Sequence, residues 1–61
     1  MKIEMNEGFE ITAEIITIAN RYDFYTSYID NYGQMMEAKE KNTKIMITLN
    51  NLGVKTLKRQ S

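Results

Sequence analysis

The sequence predicts a mostly helical fold: a helical hairpin with a long helix near residues 12–41 and a short helix near 43–52, and a short β-hairpin at the N-terminus. Three observations carry this prediction. Ile11, Ile15, Ile18, Tyr22, Tyr25, Ile29, Tyr32 and Met36 follow one another at alternating spacings of four and three, a heptad seam. No proline interrupts that run or any other part of the chain. A second periodic set, Ile45, Leu49 and Leu52, ends at Gly53-Val54, the pattern of a left-handed glycine cap with an apolar latch.

The elements follow in order. Residues 1–11 alternate apolar and polar on both sides of Asn6-Glu7-Gly8, which reads as a hairpin with glycine at the left-handed loop position. Thr12-Ala13-Glu14 then supplies a hydroxyl cap and a first-turn carboxylate. Inside the long helix Gly33 is a weak point, costing about 1 kcal/mol against alanine. The seam meets charge over Glu37-Ala38-Lys39-Glu40-Lys41-Asn42, so a turn is expected near Asn42-Thr43, with Thr43 capping the second helix. Residues 55–61 form a basic, solvated tail with one apolar anchor, Leu57. The competing reading is a small α+β fold with strands near 2–11 and 44–50, since Ile45, Ile47 and Leu49 also alternate.

With 61 residues the chain is one small domain. A domain of that size buries only about 60% of the surface its unfolded chain exposes. Such domains usually lean on disulfides, a metal or a partner subunit. Cysteine and histidine are both absent, which removes disulfides, thiolate and imidazole metal sites, and thiol or Ser-His-Asp catalysis. Asp23 and Asp30 lie one heptad apart, about 10 Å along a helix, too far to share a proton or metal. There is no phosphate-binding glycine motif and no room for a sizeable substrate pocket. The expectation is a protein that is not an enzyme, has no cofactor and takes no small-molecule substrate.

A partner subunit is therefore the expected staple. The middle of the long helix is apolar over more than half its circumference, because Phe24, Tyr28 and Met35 form a second stripe beside the seam. The short second helix has one narrow stripe and cannot cover both. Aromatic residues and methionine are enriched at interfaces, and soluble monomers rarely leave large apolar patches open. Tyr22, Phe24, Tyr25, Tyr28, Ile29, Tyr32 and Met35 are accordingly the candidate partner-binding residues. The expected arrangement is a homodimeric helical bundle formed through the long helix. The expected function is a small regulator or inhibitor that binds a larger host protein through the same aromatic face.

Charge supports a second function class. Residues 1–33 carry a balance of −4 and residues 34–61 a balance of +4, with no acidic side chain after Glu40. Lys44, Lys55, Lys58 and Arg59 would contact phosphates if the protein were a dimeric nucleic-acid-binding regulator. The aromatics do not fit that use, because Asp23, Asp30 and Glu14 surround them and repel phosphate. A structural subunit of a helical assembly is a third reading. No apolar run approaches the roughly 18 residues needed to span a bilayer, so no membrane partner is expected. Met1-Lys2-Ile3-Glu4 lacks the apolar core of a signal peptide, so a cytoplasmic location is expected. Isoleucine, asparagine, lysine and tyrosine supply 24 of the residues, all from AT-rich codons, as in an AT-rich bacterial or phage genome.

Overall fold

The computed structural model describes residues 1–58, with Tyr32 described by its backbone alone. Its elements are β1 (Lys2–Met5), α1 (Ala13–Tyr32), α2 (Met35–Asn51) and β2 (Val54–Lys58). The two helices form a hairpin, and the two strands pair as an antiparallel sheet at the end of the molecule where the chain begins.

Helix α1 starts where its sequence says. Thr12 is extended, at φ −110° and ψ 165°, and its Oγ1 accepts the Ile15 N–H at 3.3 Å, with Glu14 in the first turn. That bond satisfies one orphan donor, but it is long. Thr12→Ala is therefore expected to cost about 0.5–1 kcal/mol, at the low end for such caps, as a lowered urea midpoint with an unchanged slope.

The helix stops earlier than the seam predicts. Gly33 is left-handed, at φ 66° and ψ 10°, and its N–H bonds to the Ile29 carbonyl at 3.2 Å. A glycine there caps the helix at no steric cost, so it acts as a stop rather than as a weak interior position. The long helix expected over 12–41 thus becomes two helices, and the chain reverses at Gly33-Gln34. The expected turn at Asn42-Thr43 lies in the middle of α2. Residues 44–50 are helical as well, against the strand alternative. The charged run there is an exposed helical face: Lys41 pairs with Glu37 at 2.9 Å and Lys44 with Glu40 at 3.7 Å. Both pairs put glutamate four residues before lysine, the orientation that supports a helix. Asn42 interrupts the apolar stripe of α2. Its Oδ1 is enclosed without a hydrogen-bond partner among the described residues, an arrangement that costs about 1–3 kcal/mol.

The end of α2 follows expectation. Leu52 donates to the Thr48 carbonyl at 3.0 Å, and Gly53, at φ 89°, turns the chain into Val54. The Phe9 ring lies against Gly53, in space that a Cβ would occupy.

The sheet corrects the N-terminal prediction in one respect. A strand does open the chain, and Phe9 N–H closes the expected turn onto the Asn6 carbonyl at 3.2 Å, with Gly8 left-handed. The partner strand, however, is 54–58 rather than 9–11. Asn6 gives its own N–H to the Gly53 carbonyl at 2.8 Å, so the far end of the chain takes the place of the second hairpin arm. Residues 55–58 of the expected basic tail are therefore strand; the rest of that tail lies outside the described residues. The register runs Lys2↔Lys58, Ile3↔Leu57, Glu4↔Thr56 and Met5↔Val54, which leaves Lys55 as a bulge. Val54 and Leu57 are three residues apart, a spacing that would put them on opposite faces of a flat strand. The extra residue brings both to the apolar face. On the other face Thr56 Oγ1 donates to Glu4 Oε2 at 2.9 Å, and Lys2 lies 3.6 Å from Glu4. Thr56 first, then Lys58 and Lys2, stabilise the charged carboxylate and hold Glu4 below its ordinary pKa.

The core follows from this closure. Ile15, Leu49 and Val54 are fully buried, packed by Ile3, Met5, Ile18, Ile45, Met46, Leu52 and Leu57. One residue from each helix and one from a strand therefore close a single core at the sheet end. Farther along the hairpin the buried side chains among the described residues are small: Ala19 on α1 and Ala38 on α2. The other end of the molecule holds the aromatics.

Candidate functional site

The aromatic face lies where the C-terminal half of α1 meets the first turns of α2. The helical period sets Phe24, Tyr25 and Tyr28 on neighbouring positions. The Phe24 ring stands 5.5 Å from Tyr25, edge to face at 74°, and 6.3 Å from Tyr28, nearly parallel at 24°. Both distances lie in the attractive range for ring pairs. Tyr25 and Tyr28 are half-buried, whereas Phe24 is 64% exposed. The most apolar of the three rings is thus the most open to solvent.

Helix α2 completes the site. Phe24, Tyr25, Tyr28, Glu37, Ala38 and Lys41 line a groove of about 250 Å³ between the helices. Ala38, with its small side chain, forms the buried floor. Lys41 Nζ lies 5.2 Å from the centre of the Tyr25 ring, within cation–π range. Glu37 first, and Tyr25 after it, stabilise the ammonium and raise its pKa. The Tyr28 hydroxyl donates to Gln34 Oε1 at 2.7 Å, which ties the reversal between the helices to the ring ladder. The groove therefore offers an apolar ring to bury, an exposed ion pair at one rim and a fixed hydroxyl.

The expected binding residues divide. Phe24, Tyr25 and Tyr28 come together here. Tyr22 and Ile29 are half-buried on the same helix and do not line the groove. Met35 is half-exposed at the start of α2, and Met36, the last seam residue, is 85% exposed because the seam breaks before it. The Tyr32 side chain lies outside the described residues. Glu37, Ala38 and Lys41 were missed as site residues. Their signal was the charged run after Gly33, which reads as the end of a seam only if the helix is taken to continue through the glycine.

The basic residues do not converge to the same degree. Lys44 is on α2 and paired with Glu40, Lys55 is the bulge residue of β2, and Lys58 faces Lys2 across the sheet with Glu4 beside it. Arg59 lies outside the described residues. Among the described residues no three acidic side chains gather into a metal-binding cluster, and no helix is long and apolar enough to cross a membrane. A second apolar surface, made by Met1, Ile3, Ile11, Ile16 and Ala19, lies between β1 and α1. Comparison with protein-family models, curated proteins and solved structures finds no match to this chain.

Proposed function

We propose that the protein is a small protein-binding regulator whose aromatic face docks on a larger partner. The observation that carries this reading is the exposure of Phe24 between two tyrosines that are themselves partly buried and fixed. A ring held in place loses little side-chain freedom on binding, and aromatic anchors of this kind dominate interface energies. Lys41 and Glu37 supply a polar rim around it, as interfaces commonly have.

The test is a photo-crosslinking amino acid at position 24, in cells that make the protein, with Thr43 on the exposed side of α2 as the control position. The expected result is a discrete adduct with another protein from position 24 and none from position 43. With that partner purified, Phe24→Ala is expected to weaken binding about 30-fold or more, the loss typical of a hot-spot residue. An equal adduct from both positions, or unchanged affinity of Phe24→Ala, would refute the reading.

A further inference from the structure

Strand β1 has β2 on one side and, among the described residues, no strand on the other. Beside it, toward α1, is an apolar groove of about 340 Å³ lined by Met1, Ile3, Ile11, Ile16, Ala19 and Asn20. Ile11 and Ile16 are each 48% exposed there, although both are isoleucines beside the core. Asn6 N–H points at β2, since it donates to Gly53. Backbone groups in an antiparallel strand change sides with every residue. Lys2 and Glu4 therefore turn theirs toward β2 as Asn6 does, and Ile3 and Met5 turn theirs to the open edge.

We infer that a second copy of this chain docks on this edge. The two β1 strands pair antiparallel about a two-fold axis at Ile3, extending the sheet to four strands in the order β2-β1-β1-β2. Charge complementarity selects this occupant and this register. Residues 1–5 read apolar, basic, apolar, acidic, apolar. Pairing about Ile3 sets Lys2 opposite Glu4 of the second copy, twice, and Ile3 opposite Ile3, while the open-edge groups of Met1, Ile3 and Met5 meet one another. Moving the axis one residue along the strand sets Lys2 against Lys2 or Glu4 against Glu4. Moving it half a residue opposes open-edge groups to groups already turned to β2. Within one chain Lys2 faces Lys58, a like-charge pair, and Glu4 of the second copy on its other side offsets that repulsion.

The other edge of the sheet is protected in the usual ways. Strand β2 carries the Lys55 bulge and Lys58 and has no acidic residue to complement them. A two-stranded sheet is also marginal by itself, and two more strands relieve that. This dimer leaves the aromatic face free, so it stands apart from the proposed function above.

The experiment is sedimentation equilibrium on the wild type, on Lys2→Glu, on Glu4→Lys, and on an equimolar mixture of the two variants, with circular dichroism as a check of folding. Each variant alone opposes like charges in both pairs, and the mixture restores opposite charges in both. The wild type is expected to be a dimer, each variant to dimerise about tenfold more weakly, and the mixture to form a one-to-one heterodimer. The heterodimer is the decisive arm, because a variant that merely failed to fold could not produce it. A monomeric wild type, variants as dimeric as the wild type, or a mixture that does not associate would each overturn the inference. So would loss of the dimer in Phe24→Ala, since that would place self-association on the aromatic face.

Discussion

Leu49→Ala is expected to destabilise the protein by about 3–5 kcal/mol and leave most chains unfolded. Leu49 has no exposed surface and is the point where α2 packs against both Ile15 of α1 and Val54 of β2. Small domains have stabilities of about 0.05–0.15 kcal/mol per residue, so that loss is comparable to the whole stability of this chain. The neighbours cannot collapse into the hole, because they belong to three separate elements whose positions are set by helix and sheet hydrogen bonds. Thermal melting followed by circular dichroism, at fixed protein concentration, measures it. A midpoint within a few degrees of the wild type would mean that the core does not close where Ile15, Leu49 and Val54 meet.

Gly53→Ala is expected to cost about 2–3 kcal/mol, and Gly8→Ala about 1 kcal/mol. The two glycines share a φ of 89°, a conformation that penalises any L side chain by about 1–2 kcal/mol. They differ in what a new methyl group would meet. At Gly8 the space is empty, whereas at Gly53 the methyl overlaps the Phe9 ring. Phe9 is half-exposed and can swing away, so the extra cost is capped at the burial the ring gives up. Urea unfolding of the two variants side by side isolates that difference. Equal losses would show that Phe9 contributes nothing by lying on Gly53.

Where the chain was legible, the signals were local. Thr12 caps the first helix through its own side chain, and Gly53 ends the second through its own backbone, so both can be read from a few neighbouring residues. The break at Gly33 was misread for a physical reason. Heptad spacing continues across it to Met36, and spacing alone cannot tell an interior glycine from a left-handed cap. The difference lies in a backbone angle. The sheet was hidden by distance, since its strands stand at opposite ends of the chain. The Lys55 bulge hides it further by spoiling the alternation that would have marked 54–58 as a strand. The aromatic cluster was visible as a stripe, yet its depth was not. A helical wheel sets Phe24 on a second stripe beside the seam of Tyr22 and Tyr25 but says nothing of depth, and only the seat of α2 separates the half-buried rings from the open one.

Sheet and aromatic face lie at opposite ends of the helical hairpin, and the two proposals give them different partners: a second copy at β1 and another protein at Phe24. Solvent paramagnetic relaxation measured by NMR on the isolated protein, at concentrations where it self-associates, tests this most directly. Strong relaxation of the Phe24 and Tyr28 ring protons is expected, with the Ile11 and Ile16 methyl groups shielded. Shielded Phe24 and Tyr28 rings beside exposed Ile11 and Ile16 methyl groups would contradict it, because the aromatic face would then be the protein's own dimer seam.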